Sequence, residues 1–212
     1  MTEKNHDFLR LACRCGQVQG RIAASQSGQA RRALQTHLVC YCGDCQTFAG
    51  WLGASGHALD RNAGTDLVQM TPDRLSFDQG VEQLACLQLR PKGLLRWYAR
   101  CCRTPLCNTM ARPFTSFVGV LTTNVQGMDA QEAFGPVQAR AFTDSAHGPN
   151  SPKRNSGLPR VMFNVLRMIL GSRLNGRYRI TPFFSPDGAP VAKPHLLTPQ
   201  ALLSAREKAG IA

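Results

Sequence analysis

Cysteine is the residue type in this chain that is best suited to chemistry, and it is clustered. The 212 residues contain nine cysteines, and all but Cys86 fall into three groups. The groups are Cys13 with Cys15, then Cys40 with Cys42 and Cys45, and finally Cys101 with Cys102 and Cys107. Thiols one or two residues apart can bind one ion together, and zinc favours thiolate ligands. We therefore predict one or two zinc ions per chain, since an odd number of cysteines also argues against complete disulfide pairing.

The second group can form a centre on its own. Cys40, Cys42 and Cys45 lie within six residues, and Gly43 allows the turn that brings the third sulfur back towards the first two. Three thiols this close would be sensitive to oxidation unless they were bound. Three protein ligands leave one zinc position for water, a substrate thiol or another side chain, which is typical of a reactive centre.

The first group supplies only two sulfurs and needs partners from elsewhere in the chain. Cys101, Cys102 and Cys107 are the available thiols. A shared ion would fix the first strand to a strand near the third group and would stabilise the long loops between them. We favour Cys13 and Cys15 with Cys102, and the fourth ligand is left open.

The remaining candidates have simpler explanations. Cys86 lies in the apolar run 84–89 and is expected to be a buried core residue. Cys107 is either a metal ligand or a buried core residue of the same kind. The five histidines show no metal-ligand spacing relative to one another. His37, three residues before Cys40, is the one histidine that we keep as a candidate.

Short apolar runs separated by glycine, proline and aspartate predict a mainly β fold. The predicted strands are residues 9–13, 18–23, 34–39, 66–70, 84–89, 94–99 and 117–123. One short helix is expected after Gly43, with Asp44 as its cap. We assign residues 1–145 to a zinc-binding β domain and residues 146–212 to a basic extension.

The extension is expected to carry two helices, near 158–170 and 198–208. Proline stands near the start of each helix, and Gly171 would end the first one. This first helix is too short to be a transmembrane segment. We favour its packing on the β domain or on a second subunit of a homo-oligomer. Association with a membrane surface as a basic amphipathic helix is the alternative.

The formal net charge of +12 is concentrated in the extension. Residues 146–212 hold 10 of the 25 basic residues and 2 of the 13 acidic ones. Such a surface attracts anions, but it lacks the interleaved aromatic residues of single-strand binders, so nucleic acid is not the favoured partner. No apolar leader precedes the first motif, and a cytoplasmic location is the expectation.

The order of the cysteine motifs resembles that of the glutathione-dependent formaldehyde-activating enzymes and their relatives, including centromere protein V. The motifs are C-R-C-G from Cys13, C-Y-C-G-D-C from Cys40 and Y-A-R-C-C-R-T-P-L from Tyr98, and the resemblance covers about residues 9–123. In that family the third motif usually reads aromatic-Cys-x-x-Cys-Gly-x-Pro. Alignment on Pro105 places Cys102 on the second cysteine of that pattern and leaves Cys101 as a substitute for the first.

The resemblance implies an antiparallel β-tent with two zinc sites. It implies a structural site made by Cys13 and Cys15 with Cys102, and a catalytic site made by Cys40, Cys42 and Cys45. The partner would be a small thiol such as glutathione, and the activity would be that of a carbon–sulfur lyase acting on its formaldehyde adduct. The alternative is a non-catalytic zinc module that binds a protein or nucleic acid through the basic extension.

Overall fold

Short strands account for most of the regular structure. The computed structural model describes residues 8–23 and 35–211, in which there are twelve β-strands and five α-helices. The strands are β1 (Phe8–Ala12), β2 (Gln19–Ala23), β3 (Thr36–Cys40), β4 (Thr65–Met70), β5 (Leu75–Gln79), β6 (Leu84–Gln88), β7 (Leu95–Ala99), β8 (Thr104–Thr109), β9 (Val118–Leu121), β10 (Val125–Gln126), β11 (Ala139–Ala141) and β12 (His195–Leu196). The helices are α1 (Gly43–Leu52), α2 (Ser55–Ala58), α3 (Ala130–Phe134), α4 (Leu158–Leu174) and α5 (Pro199–Lys208). The mainly β fold class predicted from the sequence is confirmed.

The strands form two sheets. The smaller sheet has the order β10-β1-β2-β5, and the larger one has the order β11-β3-β4-β9-β8-β7-β6-β12. Neighbouring strands are antiparallel except at the two edges of the larger sheet. There β11 runs parallel to β3, and β12 runs parallel to β6. The resemblance implies short antiparallel strands, and these two edges differ from it because parallel partners join through long connections that leave no local pattern.

Seven of the strands overlap segments that the sequence predicts, although Leu34, in one of those segments, lies outside the described residues. Among the strands that sequence reasoning missed, β8 is the most informative, because it lies between β7 and β9 in the larger sheet. It contains Pro105, which lacks an N–H group and normally excludes a central strand. Pro105 is accommodated at an irregularity, where the register between β7 and β8 shifts between Trp97 and Tyr98.

The main core lies between the two sheets. Leu11 and Ile22 of the smaller sheet meet Val68 and Trp97 of the larger one, and all four are buried. Phe183, from the extension, is also fully buried, and its ring centroid lies 5.0 Å from that of Trp97. Full burial of an apolar side chain of this size contributes roughly 1.5–3 kcal/mol. The extension therefore supplies part of the core on which the sheets depend.

Helix α4 is longer than the sequence predicts. Gly171 does not end it, since a glycine inside a helix costs only about 1 kcal/mol relative to alanine. The helix continues to Leu174, and Gly176, with a left-handed φ of 73°, provides the turn that follows. Within residues 8–23 and 35–211, no helix combines the length and the apolar character needed to cross a bilayer.

One face of α4 packs on the β strands. Val161 and Met168 are buried on that face. The side-chain amide of Asn164 donates a hydrogen bond of 3.1 Å to Thr36 Oγ1 at the start of β3. This face of α4 therefore contacts the larger sheet.

Helix α5 lies against α1 at a very close contact. Thr198 caps α5 by accepting a hydrogen bond from the Ala201 amide, and Pro199 occupies the first turn, as the sequence predicts. A Cβ atom added to Gly50 of α1 would lie 2.6 Å from the carbonyl oxygen of Ala205 and 3.0 Å from the amide nitrogen of Ala209. Only glycine at this position allows the two backbones to approach so closely.

We expect Gly50→Ala to destabilise the protein by roughly 1–3 kcal/mol, because the new methyl group meets backbone atoms that cannot move independently. Gly171→Ala in α4 is the matched control, since an added Cβ there meets no atom within 4 Å. The control should be neutral or stabilising by up to about 1 kcal/mol. Urea unfolding of both variants measures the difference, and equal effects of the two substitutions would contradict the close α1–α5 contact.

Candidate metal centres

Two hairpin turns meet at the four-cysteine centre, which consists of Cys13, Cys15, Cys101 and Cys102. The first turn joins β1 to β2, and Gly16 makes it possible by adopting a left-handed φ of 77°. The second turn joins β7 to β8 and contains Arg103 in the same left-handed region, with a φ of 56°. Each turn presents two thiols to the other, so the centre joins the smaller sheet to the larger one.

The spacing of these four sulfurs fits a tetrahedral ion. Cys15 Sγ lies 3.4 Å from Cys101 Sγ and 3.6 Å from Cys13 Sγ, and the Cys13–Cys101 and Cys101–Cys102 separations are both 3.9 Å. Zinc–sulfur bonds of about 2.3 Å in a regular tetrahedron place sulfurs about 3.8 Å apart. The donor set is therefore suited to zinc in both chemistry and size, and it is complete without a further ligand.

Hydrogen bonds across the two turns stabilise thiolate at Cys102. Burial raises the pKa of its thiol, but hydrogen bonds with Thr104 Oγ1, at 3.0 Å, and with the Cys15 amide outweigh this and lower the pKa to about 6. The Arg14 amide donates to the same Thr104 hydroxyl at 3.1 Å. Burial raises the pKa of Cys13 and Cys101, so binding of a cation is what would draw the remaining protons from the cluster.

The three-cysteine centre lies where β3 runs into α1. Cys40 is the last residue of β3, Cys42 occupies the N-cap position of α1, and Cys45 lies in the first turn. The N-terminus of a helix carries partial positive charge, which favours thiolate there. The sequence predicts that Asp44 caps this helix, and this prediction is wrong. Cys42 occupies the cap position, and the Asp44 side chain pairs with Arg90 instead.

The three sulfurs converge but leave the donor set incomplete. Each lies within 4.8 Å of the others, and Cys40 Sγ is 4.0 Å from Cys45 Sγ. Cys40 and Cys45 are buried, whereas Cys42 is only partly buried. The residues present fit a thiolate-binding ion such as zinc, with one coordination position left for a ligand from outside this group.

Arg96 of β7 is the charged partner of this centre. Its side chain is 3% exposed, its Nη1 donates to Cys45 Sγ at 3.7 Å, and its guanidinium lies over the Phe48 ring at 5.6 Å. Hydrogen bonds with Cys40 and Cys42, opposed by burial and supported by the charge of Arg96, lower the pKa of Cys45. The site therefore favours negative charge on Cys45.

A cavity of about 10 Å³ lies next to Cys45 and is lined by Arg96, Asn108 and Thr65, among others. This volume is about that of one water molecule. The buried hydroxyl of Thr65 has no hydrogen-bond partner among the described residues. A substrate larger than water does not fit on this side of the centre.

The seven cysteines proposed as ligands fall into two separate clusters in the structure, four in one and three in the other. Cys101 and Cys102 both join Cys13 and Cys15, so the adjacent pair acts as one unit and Cys107 is excluded. Cys86 and Cys107 are buried in β6 and β8, in neither cluster. Sequence reasoning missed Arg96, although an arginine within the apolar strand segment 94–99 is a signal that a buried anionic partner exists.

His37 belongs to neither centre. Its ring nitrogens lie 2.6 Å from the Gly135 carbonyl oxygen and 2.8 Å from Asp66 Oδ1. Both partners are acceptors, so the ring is fully satisfied only when both nitrogens carry protons. Burial lowers the pKa of His37, but the hydrogen bonds to Asp66 and Gly135 outweigh burial and raise it above 6.5. The ligand candidate of the sequence analysis is instead a structural ion pair.

Comparison with known proteins gives a family but no function. The family model described as "Family of unknown function (DUF6151)" matches residues 6–194. A crystal structure of a Rhodobacter sphaeroides protein is similar at 17% identity and a TM-score of 0.42, covering 63% of this chain and 99% of that one. No curated protein matches the chain significantly.

We expect the purified chain to contain two divalent ions, because each cluster supplies at least three thiolates. Cys15→Ser should lower the metal content by about one ion per chain, since Cys15 is a solvent-exposed member of the four-cysteine centre. Cys86→Ala is the control and should leave the metal content unchanged. Elemental analysis provides the measurement, and equal metal content in Cys15→Ser and the unaltered protein would contradict the four-ligand centre.

The His37–Asp66 pair predicts a pH-dependent contribution to stability. Because the folded-state pKa of His37 lies above 6.5, this contribution is fully present below pH 6.5 and is lost as pH rises through the folded pKa. His37→Gln should remove that pH dependence, whereas His195→Gln at an exposed position should keep it. Urea unfolding across neutral pH tests this, and an unchanged profile in His37→Gln would contradict the assignment.

Proposed function

The chain belongs to the family of unknown function DUF6151, and we propose that it is a zinc protein whose three-cysteine centre acts on a small thiol and its formaldehyde adduct. One observation carries the proposal: the sulfurs of Cys40, Cys42 and Cys45 converge within 4.8 Å while providing only three ligands. Zinc held in this way keeps one position for a substrate atom, where it acts as a Lewis acid.

The contrast between the two clusters supports a division of roles. The four-cysteine cluster offers a full tetrahedral set between two sheets, which suits a structural ion. The three-cysteine cluster lies at a helix N-terminus beside a buried arginine, which suits a centre where charge changes during a reaction. The four-cysteine cluster therefore has the structural role in this proposal, and the three-cysteine cluster has the catalytic role.

Access to the centre supports a route past Cys42. The cavity on the Cys45 side has room for about one water molecule, and Cys40 is 7% exposed. Cys42 is the least buried of the three. A thiol on a flexible substrate would reach the centre along this side, where α1 begins.

Charged side chains near this entrance suit an anionic substrate. Asp44 lies between two arginines, pairing with Arg90 and standing 3.7 Å from Arg96. The Arg90 side chain is 63% exposed, so the part of its guanidinium that does not pair with Asp44 can bind a carboxylate from solution. In the proposal, Arg90 orients the carboxylate of a thiol tripeptide, and Arg96 holds negative charge on Cys45.

The reaction proposed is reversible addition of a thiol to formaldehyde. The thiol sulfur bonds to the carbonyl carbon, the carbonyl π electrons move to oxygen, and that oxygen takes up the proton that the thiol releases. The lyase direction breaks the same carbon–sulfur bond. The motif resemblance to the glutathione-dependent formaldehyde-activating enzymes supports glutathione as the thiol.

We expect the metal-loaded protein to accelerate formation of the glutathione–formaldehyde adduct, followed by NMR. Cys42→Ser should abolish the acceleration, and Arg90→Gln should raise KM with a smaller effect on kcat, because it acts on substrate binding. Cys86→Ala is the matched control and should retain activity. A rate equal to the uncatalysed background in the metal-loaded protein would overturn the proposal and favour the non-catalytic zinc module.

A further inference from the structure

Helix α4 presents a second apolar face that no residue within 8–23 or 35–211 covers. We call this face the α4 ridge, and it consists of Met162, Phe163, Leu166, Leu170 and Leu174. Their exposed fractions are 69%, 60%, 53%, 48% and 90% respectively. Four of the five recur every fourth residue and so form one row along the helix. Large apolar side chains grouped on an exposed surface mark an interaction site.

Basic residues flank the ridge without acidic neighbours in the sequence. Arg160, Arg167 and Arg173 lie on α4 and are exposed, and Arg177 and Arg179 follow directly. The Arg167 guanidinium lies over the Phe163 ring at 5.7 Å, so charge and apolar surface adjoin. From residue 146 to residue 186 the chain contains seven basic residues and no acidic residue. Asp73 is an acidic neighbour from another element, 3.8 Å from Arg177.

We infer that the α4 ridge binds the surface of an anionic lipid membrane, with the helix lying in the plane of the headgroups. An interfacial helix inserts an apolar face between the headgroups while flanking arginines bind phosphates. The opposite face of α4 remains anchored on the β domain through Asn164 and Ser172, which bond Thr36 and Ser116. The helix can therefore lie flat on a membrane without leaving the fold.

The charge pattern favours this occupant over a second copy of the chain. Every charged side chain of α4 is an arginine, so pairing of two ridges would bring like charges together without compensation. The ridge also protrudes, since Leu174 is 90% exposed, and a membrane accepts a protruding row without needing a matching groove. An acidic protein would have to supply both the groove and the charges.

Sedimentation with vesicles tests the inference on the full chain. We expect binding to vesicles of phosphatidylcholine mixed with phosphatidylglycerol, weakening as salt increases, and little binding to phosphatidylcholine alone. No binding to the anionic vesicles at low salt would overturn the inference. Equal binding to both kinds of vesicle would also overturn it, because the arginines would then contribute nothing.

Matched variants locate the binding surface. Leu166→Glu should weaken binding about tenfold or more, since it removes one inserted apolar side chain. Leu203→Glu is the control, because Leu203 is 61% exposed on α5 and lies outside the ridge. Equal losses in both variants would overturn the assignment to α4. Circular dichroism is used to check that both variants fold.

A second pair of variants tests the charge and remains informative if Leu166→Glu fails to fold. Arg160→Gln with Arg167→Gln should lower the affinity roughly fivefold for each arginine. Lys193→Gln with Lys208→Gln removes the same charge elsewhere on the surface and should have the smaller effect. Light scattering without lipid measures self-association of the chain. If the protein does not bind vesicles, and if it self-associates in a way that Leu166→Glu abolishes, the α4 ridge is a dimer contact and the inference is overturned.

Discussion

The fold depends on the meeting of two hairpin turns, one from each sheet. The turn between β1 and β2 and the turn between β7 and β8 each supply two thiols, and thiolates only 3.4–3.9 Å apart would repel one another unless a cation neutralised them. The two sheets are therefore joined by the four-cysteine centre at one end and by the apolar contacts around Trp97 in the middle.

Arg96 connects that framework to the second centre. The strand that carries it, β7, also leads into the turn that contains Cys101 and Cys102. A guanidinium buried to this degree is stable only beside anionic groups, and Cys45 and Asp44 provide them. Side chains on successive residues of a strand point to opposite faces, so Arg96 and Trp97 serve opposite sides of the larger sheet. A single strand thus sets the geometry of both cysteine clusters and of the core.

Much of this arrangement could be predicted from the sequence, and the limits have physical causes. Local cysteine spacing was enough to identify both clusters, since ligands close in sequence are close in space. The choice between Cys101, Cys102 and Cys107 needed the turn geometry, because adjacent residues reach one site only when the backbone bends as it does at Arg103. Strand β8 was missed because it contains Pro105, whereas the parallel edges β11 and β12 were missed because their pairing depends on distant partners and leaves no periodic pattern. The sequence could not show that the outer face of α4 is exposed and not buried, since exposure is a property of the assembled fold.

The contact between Gly50 of α1 and Ala205 of α5 has a practical consequence. Cys42 and Cys45 belong to the N-terminal end of the helix that α5 braces, and the Ile211 side chain approaches the position of Gly43 to within 3.9 Å of an added Cβ atom. Proteolytic removal of Ile211 or of part of α5 would therefore alter the geometry of the thiolates. Heterogeneous ends in a preparation would produce mixed absorption bands in a cobalt-substituted sample, even though the residues removed bind no metal themselves.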